Sequence, residues 1–247
     1  MAAETLNGIV IGCTDYRDND RMLTLFTTER GRVDCKARNC RKPTAPLLAC
    51  AQPFVFGEYT VFFSKERGTV DSCEVKESFF ALREDADRFF AASLAVRCCL
   101  SAIEPDTPNE PLFSLLYHTL SFLAYSEQDP KDLLCGFLIH FLDRIGYRPM
   151  LTHCAVCRRD VRADAVLFYS AEAGGVVCVA CPHGGEPANR TALEAMRRML
   201  LLSDRELSKI RMPAHVQKAV LSMLTASVRE VLGAQDRAVK MLEQFLS

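Results

Sequence analysis

Two Cys-x-x-Cys pairs constrain this chain more than any other feature of its sequence. The first pair is Cys154 and Cys157, and the second, after 20 intervening residues, is Cys178 and Cys181. Each pair can fill two corners of a tetrahedron, and a hairpin between the pairs returns the chain to fill the other two. The spacing therefore predicts one zinc ion held by four thiolates, with short strands at residues 165–169 and 174–177.

Other uses of paired cysteines fit the sequence less well. Disulfides are typical of secreted chains, and a thioredoxin-like redox pair does not explain why the motif occurs twice. A zinc deaminase has Pro-Cys-x-x-Cys and an upstream His-x-Glu, whereas His153 and Val177 precede the two pairs here. His153 or His183 could replace a cysteine, but four thiolates make this unnecessary. Because four thiolates close the coordination shell, we expect a structural metal that stabilises a module too small to fold alone.

The first 80 residues have the pattern of short strands separated by turns. The predicted strands are residues 6–13, 21–27, 32–37, 54–63 and 69–75, and the last follows a turn at residues 65–68. Five strands of this size favour a small closed barrel, because closure removes exposed strand edges. An oligonucleotide-binding fold has this size and strand number, although other small barrels do too.

Aromatic side chains in this region could stack on nucleic-acid bases or could form the core. Strand alternation places Phe54, Phe56 and Phe62 on one face and Tyr59 and Phe63 on the other. At least one face must be buried, so packing is the expected role of most of these rings.

A basic loop, residues 36–46, follows the third predicted strand. Pro43 and Pro46 keep this loop out of helix and central strand alike. Cations at a barrel rim can follow a phosphate backbone without reading base sequence, or they can be ordinary solvated charges. The net charge of −1, taken alone, argues against a general nucleic-acid binder. The candidate DNA-binding cations are Arg30, Arg32, Lys36, Arg38, Arg41 and Lys42.

Beyond residue 80 the apolar period changes from two to 3.6, which predicts helices. The predicted helices are residues 85–103, 112–125, 130–145, 193–202, 212–232 and 238–246. Asp129 caps the third helix, and Thr191 with Glu194 forms a capping box for the fourth. The helical spacing resumes after the cysteine pairs. We therefore expect a barrel domain at residues 1–80 and an all-α domain at 81–247, with the zinc module inserted at about residues 150–185.

The sequence favours a cytoplasmic protein. Its start lacks a basic region followed by an apolar run, and no apolar segment approaches the roughly 20 residues that cross a bilayer. The cysteines outside the two pairs lie scattered in apolar segments, where a reducing compartment leaves them as small hydrophobic residues. They are Cys13, Cys35, Cys40, Cys50, Cys73, Cys98, Cys99 and Cys135.

The order of these features resembles the RecO family of bacterial recombination mediators. In that order, a strand-rich basic region precedes a leucine-rich helical region and two cysteine pairs. Further matching motifs are Gly8–Ile11, Tyr16–Arg21, Gly31-Arg32, Ala37-Arg38, Gln52-Pro53, Glu77–Phe79, Leu82–Asp85, and Gly146–Pro149 just before the first pair. These matches span most of the chain.

The resemblance implies a non-enzymatic protein of DNA repair and recombination. Proteins of this family bind single- and double-stranded DNA and anneal complementary strands. They contact the carboxy-terminal tail of single-strand-binding protein, and together with RecR they help RecA load onto DNA. The resemblance places Lys36, Arg38, Arg41 and Lys42 in the family's basic loop, with Arg30 and Arg32 beside it, and the four paired cysteines at its zinc ligands. It also implies a nucleoid-associated location.

An alternative function of a different class stays open. The zinc-stapled helices could form a protein-protein adaptor in which an apolar groove binds partners and the barrel merely packs. An enzyme is the least favoured hypothesis, because four thiolates leave no open metal position.

Overall fold

A closed five-stranded barrel forms the amino-terminal part of the computed structural model, which describes residues 2–64, 67–181 and 184–246. Its strands are β1 (Ala2–Tyr16), β2 (Asp20–Thr27), β3 (Gly31–Ala37), β4 (Phe56–Ser64) and β5 (Arg67–Glu77). They are ordered β1-β2-β3-β5-β4, and β4 closes the barrel by pairing with β1. Strands β3 and β5 are parallel, and the other neighbours are antiparallel. The predicted oligonucleotide-binding type of barrel is confirmed. Lys65 and Glu66 of the predicted turn lie outside the described residues.

Strand β1 is long because it serves two partners. Residues 2–9 pair with β4, and residues 8–16 pair with β2. The register shifts between Val10 and Gly12, and a Cβ at Gly12 would lie 3.0 Å from the Cβ of Thr24. A β-bulge beside a glycine bends a strand. The bend lets β1 curve around the barrel, so that it pairs with β4 along its first half and with β2 along its second.

The barrel interior is filled by apolar side chains from all five strands and from the segment that links β3 to β4. Tyr59 and Val61 of β4 are fully buried in it, and Phe63 packs against the same cluster. Leu47, Cys50 and Ala51 of the linking segment add to this core. This segment, residues 38–55, has turns but no described helix or strand, as its prolines predict.

The opposite face of β4 points away from the barrel interior. Phe56 contacts the helical part, and Phe62 is partly exposed. The prediction that Phe54 belongs to this strand is wrong. Its φ of 72° is left-handed, so it precedes the strand and its ring packs on Phe89 instead.

One side of the barrel packs directly on the helices. The rings of Phe26 and Phe113 meet edge to face, with centroids 5.4 Å apart, and Phe56 meets Tyr117 at 5.3 Å. Gly31 lies at this junction with φ 64°, and a Cβ there would collide with the carbonyl oxygen of Thr107. Only glycine fits this turn and this close backbone approach.

The helices surround one central helix. The described helices are α1 (Ala86–Ala102), α2 (Glu110–Tyr125), α3 (Pro130–Arg144), α4 (Arg190–Met199), α5 (Ala214–Leu232) and α6 (Arg237–Leu246), with short 3-10 helices at Phe80–Arg83 and Asp204–Lys209. Residues 132–142 of α3 are buried on every face, because α1, α2, α4 and α5 all pack against it. The predicted apolar stripe of α3 is thus part of a fully buried helix. Helices α4 and α5 rejoin the bundle after the cysteine module, as predicted.

Most helix starts follow the sequence signals, with one exception. Asp85, Asn109 and Asp129 accept backbone N–H bonds at the starts of α1, α2 and α3. The predicted capping box of Thr191 and Glu194 is wrong. The side chain of Asn189 accepts from the Ala192 N–H at 3.1 Å, so α4 begins at Arg190, and the Glu194 carboxylate pairs with Arg197 and Arg198.

A small antiparallel sheet lies between α3 and α4. Its strands are β6 (Leu167–Ser170), β7 (Gly175–Cys178) and β8 (Glu186–Pro187), ordered β7-β6-β8. Strands β6 and β7 form the predicted hairpin. Strand β6 begins two residues later than predicted, at Leu167, and β7 begins one residue later than predicted, at Gly175. Among the described helices, none is both long and apolar enough to span a bilayer.

Candidate metal centre and candidate nucleic-acid interface

The four paired cysteines converge on one site. Their sulfur atoms all lie within 4.8 Å of one another, and the Cys157 and Cys178 sulfurs are 3.8 Å apart. A tetrahedral zinc with bonds of about 2.3 Å would place its sulfur ligands roughly 3.8 Å apart. The β6–β7 hairpin returns the chain to the first pair, where the Ala155 N–H donates to the Val176 carbonyl at 2.8 Å and so places Cys178 beside Cys154. The donor set therefore fits a tetrahedral metal ion.

The local backbone favours thiolates at this site. Burial raises the pKa of the Cys154 thiol, but backbone N–H groups of Cys157, Cys178 and Val156 lower it to about 6. One of these groups, the Cys178 N–H, donates to the Cys154 sulfur at 3.4 Å. Burial and the neighbouring thiols raise the pKa of Cys181. Four thiolates repel one another, so full ionisation of the cluster requires a bound cation.

The site matches a structural metal centre. The cluster that could hold a metal consists of the four cysteines, while His153 directs its Nδ1 to Thr152 Oγ1 at 3.0 Å. His183, the other predicted substitute, lies outside the described residues. With four sulfur ligands a tetrahedral ion has no position for water or substrate.

The cysteine module is anchored to the helical bundle. Leu167, Val176 and Val177 of its hairpin belong to the same buried cluster as the helices. The Tyr169 hydroxyl lies 2.7 Å from the Ser227 hydroxyl of α5, in a buried hydrogen bond. A metal at this site would thus stabilise the packing of the hairpin on the bundle as well as the hairpin itself.

Four of the six candidate DNA-binding cations are engaged in ion pairs on the barrel. The pairs are Arg30 with Glu4 and Asp106, Arg32 with Asp34, Lys36 with Asp20, and Arg41 with Asp15. Two of these pairs involve the basic loop, and the shorter joins Lys36 Nζ and Asp20 at 2.7 Å, a hydrogen bond that lowers the pKa of Asp20. Their charges are largely compensated within the fold.

Arg38 and Lys42 differ from the other four cations. Both are exposed, and neither has a carboxylate partner among the described residues. They line the same open groove, of about 810 Å³, which runs between the basic loop and the outer face of the β4–β5 hairpin. Phe62 and Thr69 line it on the strand side, and Pro46 lines it on the loop side. We refer to this feature as the barrel groove.

Sequence patterns alone did not separate Phe62 from the other aromatic residues. Phe56 and Tyr59 lie on opposite faces of β4 and are both covered, one by helices and one by the barrel core. Phe62, by contrast, is 39% exposed. For the candidate cations, a sequence signal was available. The acidic residues between Thr14 and Asp20 indicate that nearby basic side chains form ion pairs with them.

The family comparisons agree along almost the whole chain. The family model described as "Recombination protein O N terminal" matches residues 1–79, the region of the barrel. The model described as "Recombination protein O C terminal" matches residues 83–239, which include the helices and the cysteine cluster.

Curated relatives give the same result. A "DNA repair protein RecO" of Desulfitobacterium hafniense is 34% identical over 229 residues, which cover 90% of this chain and 83% of the relative. One from Heliobacterium modesticaldum is 34% identical over 231 residues, covering 90% and 82%. Another, from Caldicellulosiruptor saccharolyticus, is 28% identical over 241 residues and covers 96% of both chains. The chain therefore belongs to the RecO family of DNA repair and recombination proteins.

Proposed function

We propose that this chain is a recombination mediator that binds DNA through the barrel groove. The observation that carries the proposal is the position of Arg38 and Lys42, two cations without an ion-pair partner among the described residues, on one groove of an oligonucleotide-binding type of barrel. Cations that meet phosphates release counterions, which gives salt-dependent binding without sequence preference. Such a site suits a protein that must act on DNA of any sequence.

Strand annealing is compatible with this mode of DNA binding. A protein that neutralises the backbones of two strands lowers their mutual repulsion and promotes annealing without a catalytic residue. We propose binding to single- and double-stranded DNA, strand annealing, and assistance with RecR in loading RecA onto DNA coated by single-strand-binding protein. The metal ion is proposed to be one structural Zn²⁺, and the protein to be a non-enzymatic, nucleoid-associated component. The domain division at about residue 80 is part of the same proposal.

Binding of the full chain to a fluorescent single-stranded oligonucleotide across a salt series tests the role of the barrel groove. In the double variant Arg38→Ala/Lys42→Ala, two phosphate contacts are lost. The slope of log K against log salt is negative, and its magnitude should decrease by about 1.4, since each contact on a single strand contributes about 0.7.

The matched control is Arg205→Ala/Lys218→Ala, which removes the same two charges from exposed positions on the helices. Its slope should equal that of the wild type. A folded groove variant with wild-type affinity and slope would refute the role of the groove. A wild-type protein that binds no DNA at low salt would refute DNA binding itself and leave the adaptor function.

A second groove, in the helical part, favours protein binding as an additional function. This helical groove, of about 440 Å³, lies between α4, the second 3-10 helix and the start of α5. Its apolar lining includes Met199, Leu202 and Val216, and Arg211 lies at its edge without a carboxylate partner among the described residues. The Arg211 guanidinium donates to the Ser208 and Ile210 carbonyls through one nitrogen. An apolar groove beside a guanidinium that has no described carboxylate partner suits a peptide that ends in an apolar residue and its terminal carboxylate.

We propose the helical groove as the site for the tail of single-strand-binding protein. A fluorescent peptide of that tail should bind the wild-type chain, and Arg211→Ala should weaken binding about tenfold. The same peptide with an amidated carboxy terminus serves as the control and should bind as weakly. Equal binding of the acid and amide peptides would contradict the assignment.

A further inference from the structure

Phe62 presents a partly exposed aromatic ring in the barrel groove. The side chain is 39% exposed, and among the side chains that the structure describes, which do not include that of Arg67, no ring stacks on it and no cation lies over it. Other rings of the barrel surface differ. Cations cover Tyr16, with Lys36 Nζ 5.0 Å from the ring centroid, and Phe63, with the Arg30 guanidinium at 4.4 Å. Phe62 is therefore an exposed aromatic of this surface that has no cation over its ring among the described side chains.

The position of Phe62 is also fixed. It lies on β4, paired with Thr69 of β5 on one side and Ala3 of β1 on the other. Neighbouring strands on both sides hold its backbone, so the ring stands on a rigid sheet while the cations stand on a loop. A rigid aromatic platform with adjustable cations beside it is the arrangement that single-stranded nucleic acids require.

The size and charge of the groove agree with a nucleotide as ligand. Its volume of about 810 Å³ falls within the range of ligand pockets, roughly 300 to 1,000 Å³. Arg38 and Lys42 supply positive charge near the ring, and Asp71, at the groove wall, offers an acceptor for base amino groups.

We propose that Phe62 stacks on one unpaired base of a single strand while Arg38 and Lys42 contact the flanking phosphates. The inference rests on the proposed function and adds its substrate class. In a duplex both faces of each base are already stacked, so a duplex can meet the cations but not the ring. Barrel-groove binding thus distinguishes single strands from duplexes by stacking and not by charge.

Stacking also fits annealing. A base held through its π-face keeps its Watson–Crick edge free, so a complementary strand can pair with it before the base leaves the ring. Hydrogen bonds to that edge would instead compete with pairing.

The chain contains no tryptophan, so Phe62→Trp introduces a single fluorescent reporter at the proposed contact. A saturating single-stranded oligonucleotide should quench this fluorescence, and a blunt duplex should leave it unchanged. Phe80→Trp is the matched control, because Phe80 is 57% exposed and lies outside the groove. Its fluorescence should not respond to either DNA.

A second variant measures how much the Phe62 ring contributes to the free energy of binding a single strand. Phe62→Leu keeps an apolar side chain on an exposed position but removes the π-face, so the fold should persist. Affinity for a single strand should decrease about tenfold and affinity for a duplex should not change. The salt slope should equal that of the wild type, since no charge is lost.

The outcomes separate this inference from the proposed function. Two results would overturn the stacking inference and leave DNA binding intact. One is salt-dependent binding of single strands that leaves the fluorescence of the Phe62→Trp variant unchanged, and the other is full affinity in Phe62→Leu. A protein that binds no single strand would overturn both the inference and the proposed function.

Discussion

The hydroxyl of Tyr59 donates a 2.9 Å hydrogen bond to the backbone carbonyl of Cys50 inside the closed barrel. Tyr59 is on β4, and Cys50 is in the segment 38–55 that carries Arg38 and Lys42. Burial raises the pKa of the Tyr59 hydroxyl far above its usual value, so it remains a donor wherever the protein is folded. This bond ties the irregular segment to the strand that also bears Phe62. The two walls of the barrel groove therefore have a common anchor.

Replacing Tyr59 with phenylalanine should destabilise the protein. Tyr59→Phe keeps the buried ring but leaves the Cys50 carbonyl without this donor, and an unsatisfied buried acceptor costs about 1–3 kcal/mol. Urea denaturation should show a free energy of unfolding lower by that amount. Tyr16→Phe is the control, because Tyr16 is 40% exposed and water can replace its hydroxyl contacts. Equal stability of Tyr59→Phe and wild type would show that the bond does not anchor the segment.

Sequence reasoning succeeded where the determining interactions are local. The cysteine spacing identified all four members of the metal cluster, since each pair lies within one turn. Strand positions followed from alternation, and the predicted starts of the first three helices, at residues 85, 112 and 130, fall within two residues of those observed. The Thr191 capping box failed because Asn189, two residues earlier, caps the helix and leaves Thr191 inside its first turn.

Sequence reasoning failed where segments that are distant along the chain meet in the fold. The pairing of Lys36 with Asp20 and of Arg41 with Asp15 depends on the register of β1, β2 and β3, which a charge count cannot reveal. The exposure of Phe62 likewise depends on the packing of the whole barrel, which strand alternation does not predict. For this reason the six candidate cations looked alike in the sequence, whereas the fold leaves Arg38 and Lys42 without an ion-pair partner among the described residues.

The junction between β5 and α2 should respond to pH through Glu77. Its carboxylate accepts from the Tyr125 hydroxyl at 2.7 Å and from the backbone N–H of Ser78 at 2.8 Å. Burial raises the pKa of Glu77, but these bonds and that of the Phe79 N–H lower it below its ordinary value of 4.5. A depressed carboxyl pKa means that the contribution to stability is present above 4.5 and is lost as the pH falls through the folded-state pKa.

The variant Glu77→Gln should therefore differ from the wild type at neutral pH and converge with it in acid. Because both partners are partly exposed, the difference in unfolding free energy at pH 7 should be small, about 0.5 kcal/mol. Urea titrations at intervals from about pH 7 to about pH 3 measure it, with Tyr147→Phe as a control at an exposed tyrosine. A difference that stays constant across this range would rule out the proposed linkage.

Loss of one cysteine ligand should remove the metal and weaken the carboxy-terminal part. In Cys178→Ser the hydroxyl is a poor ligand for zinc, and the three remaining thiolates hold it less tightly. Zinc binding to small modules contributes roughly 10–16 kcal/mol, so the loss of even a fraction should lower the unfolding free energy by about 3 kcal/mol or more. Metal analysis should show one zinc per wild-type chain and much less in the variant.

The control for this prediction is Cys13→Ser, which changes a barrel thiol far from the cluster in sequence and bonded to the Ala51 carbonyl. This variant should retain the full zinc content. Because the cysteine hairpin packs on α5 through Tyr169 and Ser227, the melting transition of the helices should shift together with the metal content. Full zinc occupancy with an unaltered melting curve in Cys178→Ser would refute the structural role of the site.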